Sequence, residues 1–446
     1  MFERTGIAQL RNWATKKNRK PLVLRGARQV GKTTLVNEFS KEFDTYLYLN
    51  LEILQAHALF ETDKSIEEIL MGIYLFCDKP ATQGKTLLFI DEIQYSPKAV
   101  MQLRYFYEKR PDLYVIAAGS LLESLINKQI SFPVGRVEYM AVRPCSFEEF
   151  LNAMKETELR KALVEKRIPE NIHSKTISLF NTYTLIGGMP EIVNNFAQNR
   201  DLVSLNDTYE TLLQGYRDDV RKYARNESMA QVITYILEKG WHFAAQRISL
   251  GNFAGSSYKA REMGEAFRTL EKAMLLELSH PTVGYKPPII TELKRKPKLF
   301  WLDTGIVNYV ANIQKEVFSV RDILDAWRGD VAEQIVAQEL LAADSKLSAK
   351  RDFWVRDAHG ADAEVDFILQ IEDKIIPVEV KTGHNSKLKS LHIFMENSNS
   401  TIAVRVWSNP FSIDKIKTAS GKPFLLYNIP FYYVKMIHQL IPELQS

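Results

Sequence analysis

Leu22-Val23-Leu24-Arg25-Gly26-Ala27-Arg28-Gln29-Val30-Gly31-Lys32-Thr33-Thr34 is the stretch on which the fold turns. Leu22–Leu24 read as a buried strand, a glycine-bounded loop follows, and a helical stretch begins at Lys32. Gly26 to Thr33 match G-x-x-x-x-G-K-[ST] without a gap, in the strand–loop–helix context that the motif's mechanism needs. The glycines let successive backbone N–H groups curl around phosphates, and the helix N-terminus adds positive potential. Lys32 is spaced to reach β- and γ-phosphates and Thr33 to hold Mg²⁺. The expected cradle is Gly26, Ala27, Arg28, Gln29, Val30, Gly31, Lys32, Thr33 and Thr34.

Working outward, Tyr46–Leu49, Leu87–Ile90 and Tyr114–Ala118 are further apolar runs, the pattern of strands in a parallel sheet covered on both faces. Leu87-Leu88-Phe89-Ile90 ends in Asp91-Glu92, which predicts Asp91 near the metal and Glu92 as general base for an attacking water. A guanine-nucleotide enzyme would also carry N-K-x-D; the nearest string, Asn127-Lys128-Gln129-Ile130, lacks the aspartate, so the expected nucleotide is ATP. The run ending at Ala118 continues into Gly119-Ser120. Ser120 reads either as a polar group sensing the γ-phosphate or as a helix N-cap.

These motifs, followed in order by Gly135-Arg136-Val137, Pro144-Cys145-Ser146-Phe147-Glu148-Glu149-Phe150 and Gly187-Gly188-Met189-Pro190, resemble the prokaryotic AAA-type ATPases with a C-terminal DUF4143 domain. The resemblance covers nearly the whole chain and implies an ASCE-type P-loop ATPase. It makes Arg136 either a finger reaching a nucleotide, in cis or from a neighbouring subunit, or a structural arginine pairing with Glu138 or Glu148.

Farther along, Met229–Lys239, Ser249–Ser256 and Lys259–Leu276 read as three helices with helix-turn-helix spacing. Family members look winged-helix-like here, with Lys259, Arg261 and Arg268 facing phosphates in one reading and an interdomain structural role in the other. In the last section Asp366 and Glu379 lie 13 residues apart, room for a hairpin. Glu379 and Lys381 share one strand face, and Glu333 approaches from an amphipathic helix. Glu333, Asp366, Glu379 and Lys381 resemble the site of the PD-(D/E)xK nucleases, with Val365 where the signature has proline. That resemblance implies a second Mg²⁺ or Mn²⁺ held by the carboxylates. A module that binds DNA without cutting, and a solvated strand edge, are the other readings. Arg351, Lys374, Lys381, Lys387 and Lys389 are expected to make the surface basic.

Composition fits this outline. In 446 residues, 46% are hydrophobic and 25% charged, which excludes a disordered or collagen-like chain, and no apolar run approaches the ~18 residues of a membrane span. Two cysteines, Cys77 and Cys145, cannot build a disulfide framework or a four-ligand zinc cluster and are expected to be small buried apolar residues. A net charge of +4 permits nucleic-acid contact through local patches without demanding it. The expected architecture is α/β: residues 1–170 an AAA-type ATPase core with a parallel sheet, 171–225 a helical lid, 226–315 a winged-helix-like domain and 316–446 a nuclease-like domain. The function expected is a cytoplasmic, homo-oligomeric ATP hydrolase acting on duplex or branched DNA. A STAND-like switch working through protein contacts is the alternative.

Overall fold

The computed structural model describes residues 2–61, 64–81, 84–119, 133, 135–312, 329–357, 363–371, 373–382 and 388–441. Among them the apolar runs form β1 (Leu22–Arg25), β2 (Thr45–Asn50), β3 (Thr86–Asp91) and β4 (Tyr114–Gly119), joined by β5 (Glu138–Ala141). They make a parallel sheet in the order β2-β3-β4-β1-β5. Alternation decides which face each side chain serves. Leu24, Leu87, Phe89, Ile116 and Ala118 pack toward the helices Gly6–Ala14 and Lys32–Phe39. Val23, Leu88, Ile90, Val115 and Ala117 pack toward Ile66–Phe76 and Pro97–Lys109. Because β4 stands between β1 and β3, the loop after β1 and the carboxylates after β3 open onto one crevice at the carboxyl ends of the strands. Cys145 is buried as expected, whereas Cys77 is only half-buried.

Helices dominate the stretch to Tyr223, among them Phe147–Ala153, His173–Ile186, Pro190–Asn199 and Asn206–Asp218. Gly187, at φ +73°, turns the chain between His173–Ile186 and Pro190–Asn199.

The middle section corrects one expectation. Glu227–Lys239 and Ala260–Lys272 are helices, but Ser249–Ser256 is not: only Phe253–Gly255 makes a single 3-10 turn. Asn252, Ala254 and Gly255 all have positive φ, which no right-handed helix accommodates. The third helix stops at Lys272, before Met274 at φ +60°, and the chain enters β6 (Leu276–Ser279), β7 (Pro281–Thr282) and β8 (Lys298–Trp301). β6 and β8 pair antiparallel, and Arg247 bridges to Lys298 on the other side of β8.

After the helices Thr304–Val310 and Gly329–Ala342 come β9 (Asp352–Val355), β10 (Glu364–Ile371), β11 (Lys374–Val380), the helix Lys389–Asn397, β12 (Ile402–Trp407), β13 (Ser412–Lys417) and β14 (Pro423–Pro430). Among the described residues these form a seven-stranded mixed sheet in the order β13-β14-β12-β11-β10-β9-β7. Its edge strand β7, parallel to β9, comes from the middle section. A continuous buried cluster includes Phe150, Tyr183, Trp301, Ile335 and Phe431, so the sections share a core.

Candidate functional site

The loop after β1 is shaped by two backbone demands. A Cβ on Gly26 would stand 2.2 Å from the Val142 carbonyl oxygen, and Gly31 opens the helix Lys32–Phe39 at φ +88°. Lys32 is 7% exposed and curls back, its Nζ donating to the carbonyls of Gly26 (3.0 Å) and Ala27 (2.8 Å). Burial pushes its amine down to about 8, against the pull of Glu92 and Asp91. Thr33 Oγ1 donates to Asp91 Oδ2 at 2.6 Å, and Tyr48 OH reaches the same oxygen at 3.5 Å. Glu92 follows with φ +51° and accepts from Gln94 Nε2. Burial raises both carboxyls.

A cleft of about 570 Å³ opens beside these groups, lined by Arg28, Gln29, Gly31, Lys32, Thr33, Thr34 and Glu92, with Phe2, Arg4, Pro190, Glu191 and Asn194 across from them. Ala27 and Val30 are buried beneath. Three connections here had no local signal in the sequence. Arg4 donates to the Val30 carbonyl at 3.2 Å and pairs with Glu149 at 2.8 Å. Burial alone would raise Glu149, but the Arg4 guanidinium holds it down at about 2. Arg28 pairs at 2.6 Å with buried Asp219, which also takes Lys222 at 3.0 Å.

Ser120 lies outside the described residues. Arg136 is exposed and does not line the cleft; its Nε donates to Glu108 at 2.9 Å. The structural partners expected for it are engaged elsewhere, Glu138 by Lys16 and Glu148 by Arg160 and Lys435.

In the C-terminal section β10 and β11 form a hairpin with Phe367 opposite Val378, so Asp366 and Glu379 lie one step farther on neighbouring strands. Asp366 Oδ2 accepts from the Val380 N–H at 2.7 Å, and Lys381 pairs with Glu379 at 2.7 Å. Glu379 Oε2 is buried with no hydrogen-bond partner among the described residues. Glu333 comes in from the helix Gly329–Ala342 and meets Lys298, a residue that the motif reading did not include. Lys298 Nζ stands 2.7 Å from Glu333, 2.6 Å from Glu364 and 3.9 Å from Asp366. Burial and Asp366 push Glu379 up to about 8 and Glu333 well above the carboxylate range, while burial's pull on Lys298 is overcome by Glu333, Asp366 and Glu364. The second divalent ion expected here does not fit this arrangement, because an ammonium already occupies the point where the carboxylates converge. Arg351 is also not part of a basic surface: it is buried, its guanidinium 2.9 Å from Glu277.

Family models match three parts of the chain: an AAA domain at residues 18–151, a domain of unknown function (DUF8612) at 177–317, and another (DUF4143) at 328–419. The chain is an AAA-type P-loop ATPase with a C-terminal DUF4143 domain. No curated protein matches this ATPase. Solved structures similar to it include a Walker-type ATPase of Pyrococcus abyssi, at 16% identity and TM-score 0.45 over 70% of this chain and 96% of that one. The Holliday junction branch migration motor RuvB of Thermotoga maritima gives 16% and 0.27 over 62% and 90%. The Orc1 protein of Aeropyrum pernix, solved in complex with DNA, gives 12% and 0.25 over 70% and 93%. Likenesses this distant say nothing of what the ATPase acts on.

The Gly187–Pro190 turn connects the cleft of this ATPase to the rest of the molecule. Pro190 lines the cleft, while the Gly188 N–H donates at 2.6 Å to Asp303, two residues beyond β8. Gln338 on the Gly329–Ala342 helix reaches the same carboxylate at 3.3 Å and accepts from the Thr304 N–H at 2.9 Å. The next residue, Glu339, accepts from the Phe147 N–H at 2.9 Å and Tyr183 OH at 2.8 Å. Burial pushes Asp303 up to about 6 and Glu339 up to about 7. The cleft wall is thus hydrogen-bonded to the helix that carries Glu333.

Proposed function

We propose that ATP binding and hydrolysis in the cleft control a C-terminal module that acts on DNA. The carrying observation is the Gly188–Asp303–Gln338 junction, which gives a change at the cleft wall a hydrogen-bonded route to the nuclease-like section. In this reading Gly26–Thr34 cradle the phosphates, Lys32 releases its loop carbonyls for the β- and γ-phosphates, Thr33 and Asp91 hold Mg²⁺, and Glu92 takes the proton of the attacking water. Ser120 senses the γ-phosphate. Arg136, leaving Glu108, reaches the nucleotide of a neighbouring copy in a homo-oligomer.

Residues 1–170 act as the ATPase core and 171–225 as the lid, a role supported by the position of Asp219 against Arg28. For 226–315, the two helices and the β6–β8 hairpin support a winged-helix-like unit with Lys259, Arg261 and Arg268 exposed; for 316–446, the β10–β11 hairpin and exposed Lys374 and Lys389 support DNA contact. Among the described residues no helix is long and apolar enough to cross a membrane. A cytoplasmic location without a membrane partner is part of this proposed reading.

The test is binding to single-stranded, duplex and four-way-junction DNA across a salt series, with and without ATP, for the native chain and Lys32→Ala. Salt-sensitive binding that ATP alters only in the native chain supports the reading. No affinity for any DNA at low salt overturns it in favour of a STAND-like switch acting through protein contacts. One observation favours that second reading: β7, in the stretch between the hairpin strands, is spent as an edge strand of the C-terminal sheet.

A further inference from the structure

Four carboxylates from three directions converge in the C-terminal section: Glu333 from the Gly329–Ala342 helix, Glu364 and Asp366 from β10, and Glu379 from β11. Such a set invites a divalent ion, yet the place is taken. Lys298, 2% exposed, projects from β8 and sets its ammonium 2.7 Å from Glu333 and 2.6 Å from Glu364, with Asp366 at 3.9 Å. The first two are the lengths of charge-assisted N–H···O bonds, and the third is an ion-pair distance. A Mg²⁺ ion needs oxygens at about 2.0–2.1 Å and Ca²⁺ at about 2.3–2.6 Å, so neither can share these oxygens with the ammonium between them. Asp366 and Glu379 are also engaged. Asp366 Oδ2 accepts the Val380 N–H, and one oxygen of Glu379 takes Lys381; among the described residues only Glu379 Oε2 of these is left without a hydrogen bond, and it lies beside that second ammonium.

The lysine is not a surface side chain that folded inward. β8 pairs with β6 on one side and bridges Arg247 on the other, and Trp301 at its end is buried and stacked on Trp241 at 3.8 Å. Two residues on, Asp303 is fixed by Gly188 and Gln338. The strand therefore has no freedom to withdraw Lys298 without breaking these contacts.

We propose that Lys298 is the resident cation of this pocket, standing where a nuclease would bind its metal, and that the C-terminal module works without a divalent ion. The proposal rests on the pocket alone and holds whether or not the module touches DNA.

Mn²⁺ binding to the nucleotide-free full chain, followed by electron paramagnetic resonance, tests it. An Asp91→Asn background silences the metal position of the ATP cleft. In that background the chain with Lys298 intact should bind no Mn²⁺ that Asp366→Asn removes. Lys298→Met should create a stoichiometric Mn²⁺ site, because the four carboxylates are then left with only Lys381 on Glu379 and Arg247, 3.6 Å from Glu364, at their edges, and Asp366→Asn should abolish it. Lys298→Arg, which keeps the charge, should leave Mn²⁺ excluded. Mn²⁺ lost on Asp366→Asn while Lys298 is present would overturn the proposal, as would a folded Lys298→Met chain with no new site. If Lys298→Met does not fold, the comparison with and without Asp366→Asn in the Lys298 chain decides alone.

Discussion

The ATP cleft and the C-terminal pocket are built from the same materials, a lysine and carboxylates at strand ends, and end in opposite states. Lys32 belongs to the loop it serves and bonds that loop's own carbonyls, leaving Glu92 bordering open space and Asp91 bonded to Thr33 just behind it. Lys298 arrives from a different section and bonds the carboxylates themselves. An ammonium on backbone carbonyls can be exchanged for phosphate oxygens, since neither partner is left as a bare charge. An ammonium among buried carboxylates cannot leave without stranding them. The first arrangement awaits a ligand and the second supplies its own.

The largest effect should come from the open site. Glu92→Gln keeps the shape beside Gln94 but cannot accept a proton, and turnover should fall by about 10²–10⁴-fold while ATP binding persists. Lys32→Ala should lose ATP binding with little change in melting temperature. Wild-type turnover in Glu92→Gln, measured by phosphate release, would remove Glu92 from the role of base.

The closed site should answer in stability instead. Lys298→Met strands Glu333, while Glu364 keeps Arg247 at 3.6 Å, and breaking a buried pair from one side costs about 3–5 kcal/mol. Chemical denaturation should show that loss. A change below about 1 kcal/mol would mean that the pocket does not depend on its lysine, and the contrast between the two sites would collapse.

The two sites also differ in how far the sequence discloses them. The cleft's phosphate loop is contiguous in the chain, and its partner carboxylates end an apolar strand, so spacing alone places Gly26–Thr34 and Asp91-Glu92. The hairpin carrying Asp366 and Glu379 is legible for the same reason, since two strands and a turn are local. Lys298 is not: it sits in Lys-Pro-Lys-Leu-Phe, reads as the polar start of a strand, and meets Glu333 only through the tertiary fold. Arg4, Asp219 and Asp303 are hidden for the same reason, because their partners lie far along the chain. Ser249–Ser256 misleads in the other direction, with apolar spacing that suits a helix and backbone angles at Asn252 and Ala254 that forbid one.

A smaller effect tests the junction between the two regions. Burial holds Glu339 at about 7 and Asp303 at about 6, above the ~4 of carboxyls in an unfolded chain. Between those values the folded chain binds more protons than the unfolded one, so stability should fall as pH rises from about 4 to 7. Glu339→Gln retains the Oε1 that accepts from Phe147 and Tyr183 and removes the titration. It should flatten the fall by on the order of 3 kcal/mol, leaving the share due to Asp303, Glu333 and Glu379. Melting curves across that range that are parallel for the two proteins would show that Glu339 is charged throughout.

The smallest effect concerns how open the cleft is. Arg28 lines it, yet its guanidinium is paired at 2.6 Å with Asp219, whose carboxylate is buried and also held by Lys222. Arg28 is itself about half exposed, so the pair adds at most ~1 kcal/mol to stability. Its consequence lies in binding. To reach a phosphate, Arg28 must give up Asp219, and the free energy of that exchange is subtracted from ATP affinity. Asp219→Asn should therefore tighten ATP binding about fivefold, since ~1 kcal/mol of competition is removed, with the melting temperature of the free chain nearly unchanged. Arg28→Ala should weaken binding and make Asp219→Asn silent when the two are combined, because the competition needs both partners. If Asp219→Asn weakens ATP binding instead, the pair persists in the bound state and holds the chain at Asp219 against the loop. The open cleft would then resemble the closed pocket more than the contrast between Lys32 and Lys298 implies.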